Sequence, residues 1–292
     1  MRATRLMGVF EQPEELNPFM SYLRSIMELE SGLCLERYLP AITRRKNPLL
    51  FVHGNFHGSW LWRYFLEYFS SKGVSCYALN FRGHWLSSGH AELGKAVVED
   101  YVRDVGECLA AIGAEPVLVG HSMGGVVCQK VAESNPVKKL ILLDSAPCKA
   151  VTEQYLQLDP ERAELVKNLF MHQPDRTVVM APDKEKIKKV LFEQNKVSEE
   201  VLVQAVTFLG RESAAVLERH PFLSVDPQKV NCPVYVLGRT GLGNKKNPNL
   251  WDALAEYYKA ADRSIRADIS HNMMLEDDWQ EHAQLIEQWC FS

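Results

Sequence analysis

Two rhythms of apolar positions alternate along most of the chain. Short runs that are apolar almost throughout, "LLFVHG" (49–54), "SCYALNF" (75–81), "PVLVGHS" (116–122) and "KLILLDS" (139–145), are each bounded by Gly, Pro or Asp. Between them, "WLWRYFLEYFSSKG" and "VEDYVRDVGECLAAIG" place apolar residues at helical spacing and stop on glycine. Strands without polar alternation, separated by helices, predict a parallel sheet covered on both faces. Upstream, "GLCLERYLPAI" (32–42) reads as one or two leading strands.

The rhythm breaks after Pro147. Residues 148–230 carry charged, helix-like stretches, "ERAELVKNLFMHQ", "DKEKIKKVLFEQN", "SEEVLVQAVTFLG" and "RESAAVLERH", and predict no strand. Strands resume with "CPVYVLGR" (232–239) and "RSIRADIS" (263–270), and "DWQEHAQLIEQWC" closes with a helix. One α/β core, residues 1–147 and 231–292, interrupted by an all-helical block at 148–230, accounts for the pattern. The block is expected on the C-terminal edge of the strands, where loops of open α/β sheets gather and ligands bind.

Composition narrows the class of partner. The 292 residues are 46% hydrophobic and 24% charged, with a net charge near −4 and a pI of about 6.2. That balance gives no electrostatic case for nucleic acid or an anionic membrane. The short basic runs at Arg44–Lys46 and Lys184–Lys189 read as solvated surface. Seven cysteines lie scattered without CxxC spacing, so reduced thiols are expected rather than a disulfide framework or zinc site. Polar "EQPEELNP" follows Arg2 and Arg5 where a signal peptide would place its apolar run. No stretch approaches the ~20 apolar residues of a spanning helix. A soluble, cytoplasmic protein is the expectation.

Candidate chemistry centres on Gly120-His121-Ser122-Met123-Gly124, a G-x-S-x-G pattern between a predicted strand and helix. Small residues two before and two after the serine let strand and helix approach closely. The turn also aims the helix N-terminus, with its free N–H groups, at the serine. A serine hydroxyl needs a base to act as a nucleophile at neutral pH. His271 in "RADISHNMMLEDD" follows the last predicted strand and emerges on the same sheet edge. His84 and His90, in "FRGHWLSSGH", also lie toward that edge but follow no strand as tightly. An oxyanion would find donors in the main-chain N–H of Met123 and of Asn55, in "FVHGNFHGSW", with Phe56 as the alternative to Asn55. His53 and His57 stand four apart in that loop with no acidic third ligand, and no metal is expected there.

On His53-Gly54-Asn55, "FRGHWLSSG", "GHSMGG", "LLDSAP" and "SHNMMLED", in that order, the chain resembles the α/β-hydrolase superfamily from about residue 30 onward. The resemblance implies a mostly parallel eight-stranded sheet flanked by helices, Ser122 as nucleophile, His271 as base, and 148–230 as an inserted helical cap. Most members place the triad acid after the seventh strand, where this chain has Gly241. The family's second solution, directly after the sixth strand, falls on Asp144, with Asp226, Asp252 and Asp268 as alternatives. "HGN…WLWR" is similar to haloalkane dehalogenases, but those use an aspartate nucleophile where this chain has Ser122-Met123. The implied reaction is hydrolysis of a small-molecule carboxylic ester, thioester, lactone or amide, with no cofactor. "HGNFHGSWLW" is also similar to plant lyases and esterases, so a hydroxynitrile lyase, acyltransferase or cofactor-free oxygenase is the first rival. A catalytically retired binding protein is the second. Leu169, Phe170, Met171, Phe192, Phe208 and Leu209 are cap residues that either line a pocket or form the cap's own core.

Overall fold

A computed structural model describes residues 21–155, 160–240 and 250–291. The leading strands β1 (Tyr22–Glu28) and β2 (Cys34–Pro40) form an antiparallel pair. Then come β3 (Leu49–Val52), α1 (Arg63–Ser71), β4 (Cys76–Asn80), α2 (Val98–Ile112), β5 (Val117–His121), α3 (Met123–Val131) and β6 (Lys139–Leu143). After a long insertion the core resumes with β10 (Val234–Arg239), α9 (Leu250–Tyr258), β11 (Asp262–Arg266) and α10 (Trp279–Phe291). The eight core strands make one sheet in the order β1-β2-β4-β3-β5-β6-β10-β11, with every pair from β4 to β11 parallel.

The apolar runs are explained by burial on both faces. Leu50, Val52, Leu118, Leu140, Leu142 and Val236 join one core with α2, α3 and α9. Their sequence neighbours Leu49, Phe51, Val119, Ile141, Leu143 and Leu237 join the other, with α1 and α10. Successive strand residues point to opposite faces, so a sheet covered twice demands apolar side chains at every position.

The insertion departs from the expectation of helices alone. It contains α4 (Lys149–Tyr155), α5 (Pro160–Leu169), α6 (Lys184–Leu191), α7 (Glu199–Phe208) and α8 (Ala214–Arg219). It also contains a three-stranded antiparallel sheet of β7 (Phe170–His172), β8 (Thr177–Met180) and β9 (Arg211–Ser213). These strands are too short for alternation to show, and β9 pairs with β8 across α6 and α7, a contact no local pattern carries. Leu169 and Phe192 are fully buried, Phe170, Phe208 and Leu209 partly so, and Met171 is exposed.

The insertion lies against the loops that follow the parallel strands. Gly210 N–H donates to Phe56 O at 2.7 Å, Asn272 N–H to Leu191 O at 2.9 Å, and Gln194 N–H to Ser270 Oγ at 2.8 Å. All seven cysteines are unpaired. Among the described residues no helix is long and apolar enough to cross a membrane.

Candidate active site

Ser122 occupies the corner between β5 and α3 with φ 54° and ψ −127°, a conformation that costs a non-glycine residue about 1–3 kcal/mol. The glycines around it are sterically required. A Cβ on Gly124 would stand 2.2 Å from His53 O, and one on Gly54 would stand 2.6 Å from Ser122 Cβ. Neighbouring strand ends hold the corner: Ser122 N–H donates to Leu143 O at 3.2 Å, and Asp144 N–H to Leu237 O at 2.7 Å. Ser122 and Asp144 therefore leave adjacent strands, β5 and β6, side by side.

The structure brings three of the expected residues into one line. His271 Nε2 lies 3.1 Å from Ser122 Oγ, and His271 Nδ1 hydrogen-bonds Asp144 Oδ2. Asp144 is 3% exposed. Burial pushes its carboxyl up, but the Arg239 guanidinium and the His271 hydrogen bond outweigh burial and hold it below the usual carboxylate range. Arg239 Nε donates to Asp144 Oδ1 at 2.9 Å, and Arg239 Nη2 pairs with Oδ2 at 2.8 Å. Neither Arg239 nor its second partner, Glu193, is among the residues expected from sequence. The signal was a charged residue ending "VYVLGR", a strand buried along its whole length.

Of the two expected oxyanion donors, Met123 directly follows the serine and Asn55 follows Gly54. Met123 opens α3, where helix N–H groups lack intrahelical acceptors. The main chain at Gly54, the residue before Asn55, runs directly against Ser122. His57 fixes that loop by donating from Nδ1 to Asn55 O at 2.6 Å, while its Nε2 accepts from Asn272 Nδ2 at 3.0 Å. Burial keeps His57 neutral, lowering it to about 3. Phe56, the alternative donor, has φ 66°, and its carbonyl accepts from Gly210. His121 donates from Nε2 to His271 O at 2.9 Å, tying the serine corner to the histidine loop.

Other candidates lie elsewhere. His84 is buried 3.3 Å from Glu212, and His90 is exposed in a 3-10 turn. Asp268 pairs with Arg266, Asp226 accepts from Gln228 N–H, and Asp252 pairs with Arg263, so none meets His271. Gly241 falls outside the described residues. His53 donates from Nδ1 to Gly54 O at 2.8 Å and accepts the Phe81 N–H at its other nitrogen, so it and His57 are engaged within the fold. Among the described residues, Glu276, Asp278 and His282 come close enough to share a cation. Glu276 already accepts from Ser270 N–H and Oγ, however, and Asp278 pairs with Lys196 at 2.7 Å.

Comparison with known proteins agrees with the geometry of the fold. Residues 49–285 match the alpha/beta hydrolase family. Probable esterase PIR7A of Oryza sativa subsp. indica is 28% identical over 148 residues, 49% of this chain and 55% of that protein. The chain thus matches about half the length of this curated relative. A methylesterase, MES16 from Arabidopsis, superposes with a TM-score of 0.65 at 17% identity, covering 85% of this chain and 100% of the other. Polyneuridine aldehyde esterase superposes at 0.66 with 16% identity, covering 84% and 99%. The chain belongs to the alpha/beta hydrolase family.

Proposed function

We propose that the protein hydrolyses a small-molecule carboxylic ester, or a related thioester, lactone or amide, through an acyl-enzyme on Ser122. The observation that carries this reading is the 3.1 Å approach of His271 Nε2 to Ser122 Oγ, with Asp144 on the opposite ring nitrogen. Ser122 Oγ attacks the carbonyl carbon as His271 Nε2 takes its proton. The oxygen that becomes negative is met by the N–H groups of Met123 and Asn55, each worth roughly 10²–10³ in turnover in comparable sites. His271 then returns the proton to the leaving alcohol as the C–O bond breaks. Water, deprotonated by the same nitrogen, attacks the acyl group, and Ser122 recovers its proton as the acid departs. No step calls for a cofactor. Residues 148–230 serve as the cap that bounds the substrate from above the loops, a role supported by their contacts with Phe56, Ser270 and Asn272.

The names of similar proteins, a probable esterase and a methylesterase, support ester chemistry. A lyase that expels an anion would need a cation at the leaving group. Arg239, whose guanidinium bonds the Asp144 carboxylate, is held there and by Glu193, which favours hydrolysis. The test is a series of activated esters differing in acyl size, run with the unaltered protein and Ser122→Ala, beside labelling with a fluorophosphonate. Burst release of alcohol followed by steady turnover, abolished in Ser122→Ala, is the expected result. Neither turnover nor labelling would leave a binding protein on a retired fold.

A further inference from the structure

His271 is gripped at two points by three side chains from three other segments, which close a ring with it. Its imidazole bonds Asp144; Asp144 bonds Arg239; Arg239 Nη1 pairs with Glu193 Oε1; and Glu193 Oε2 accepts the His271 main-chain N–H at 3.1 Å. Asp144 follows β6, Arg239 ends β10, and Glu193 follows α6 of the insertion. The inner pair is nearly dry, with side-chain exposures of 0% for Asp144 and 8% for Arg239, while Glu193 and His271 are each 18% exposed. The Trp251 indole, 5.6 Å from the guanidinium carbon, covers Arg239.

Resting on the reading of Asp144 as triad acid, we infer that Arg239 is a positioning residue. Its fork holds both carboxylate oxygens so that Oδ2 faces His271, and Glu193 ties the same guanidinium to the histidine's main chain. Asp144 sits at φ 42°, outside ordinary backbone space, and hydrogen bonds of stated direction are what keep a short carboxylate aimed from such a position. The guanidinium suits the task because it bonds two oxygens of one carboxylate while presenting a further N–H edge to a second. An ammonium is a single point charge and cannot make both contacts. Arg239 also supplies charge: burial alone pushes the Asp144 carboxyl up, and the adjacent cation reverses that. The insertion, through Glu193, thus becomes part of what holds the base in place.

Arg239→Gln, Arg239→Lys, Asp144→Asn and Arg239→Gln/Asp144→Asn are compared for hydrolysis of an activated ester across pH and for the rate of fluorophosphonate labelling, normalised to active sites. Arg239→Gln should lower kcat about 100-fold with KM little changed, the cost of a misaimed catalytic group. Its acid limb of kcat/KM should move up by about one pH unit, because losing the adjacent cation favours the protonated form of the coupled Asp144–His271 pair. Arg239→Lys keeps the charge, so its limb should stay in place while kcat remains down about tenfold. In the Asp144→Asn background, Arg239→Gln should add less than about threefold, since neighbours acting as a unit are not additive.

An unmoved limb with kcat within threefold of the unaltered protein overturns the inference, as does a full additional loss on top of Asp144→Asn. If Arg239→Gln does not fold, Arg239→Lys decides, and turnover within threefold of normal rejects the positioning role. Asp144→Asn retaining more than a tenth of the activity removes the acid assignment itself, a result distinct from either.

Discussion

His121 donates a hydrogen bond from Nε2 to the main-chain carbonyl of His271, 2.9 Å away, and the two rings lie 4.5 Å apart. The residue before Ser122 therefore holds the loop that carries His271. Burial, with the neighbouring His271, lowers His121 well below the usual imidazole range, so its ring remains a neutral N–H donor. His121→Phe keeps the ring and removes the donor. A buried neutral hydrogen bond is worth about 1 kcal/mol, so kcat should fall roughly five- to tenfold. Steady-state kinetics on an activated ester check this, and unchanged kcat would mean the loop is held by other contacts.

Asp144→Asn should reduce turnover by about 10⁴ with the fold retained, as judged by circular dichroism, because an amide cannot hold the imidazole in the reactive tautomer. A loss smaller than about tenfold would point to another carboxylate.

The buried histidines tie stability to pH. His53, His57 and His121 are lowered from the ordinary imidazole range, chiefly by burial, with His57 at about 3. As pH falls below about 6.5 the unfolded chain takes up protons that the folded ring refuses. Stability supplied by keeping these rings neutral is complete above that pH and declines between 6.5 and 3 for His57. His57→Gln, able to retain a donor and an acceptor, should flatten the slope of unfolding free energy against pH in that window by up to one proton. Denaturant titrations at several pH values measure it, and a slope unchanged by the substitution would count against the assignment.

Glu212 anchors the insertion in the core. Its buried carboxylate accepts from Tyr101 OH at 2.6 Å and Ser213 N–H at 2.8 Å, and faces His84 at 3.3 Å. Burial lowers His84, but Glu212 outweighs it and raises the imidazole, so this pair stabilises most below the ordinary histidine pKa and loses strength as pH rises through the folded value. Glu212→Ala breaks a buried ion pair along with the bonds from Tyr101 and Ser213 and should cost about 3–5 kcal/mol. Faster tryptic cleavage within 148–230 than within the core is the expected signature, and uniform cleavage would say that the insertion does not open separately.

Gly124→Ala places a Cβ 2.2 Å from a main-chain oxygen, His53 O, which no side-chain rotation relieves. The change should destabilise by several kcal/mol, at or above the ~1–3 kcal/mol of ordinary overpacking, and lower the yield of folded protein. Gly106, where a Cβ would meet no atom within 4 Å, should accept alanine, and thermal melts of the two variants make the comparison.

Much of this molecule was legible in its covalent order. Strands buried on both faces need apolar residues at every position, so "LLFV", "VLVG" and "KLILL" announce themselves without partners. The tight corner needs small residues at fixed offsets, so Gly120 and Gly124 mark Ser122 locally. Asp144 and His271 follow strand ends that the same rhythm reveals. Other features had no local mark. The strands at 170–172, 177–180 and 211–213 are short, and pairing over a long separation alone makes them a sheet. Arg239 and Glu193 meet Asp144 and His271 only because β6 and β10 are neighbours and the turn after α6 folds onto them. Local conformation follows from steric and hydrophobic rules acting on nearby residues. Which buried charges face one another is settled by packing between distant segments, where an uncompensated ion would be too costly to leave.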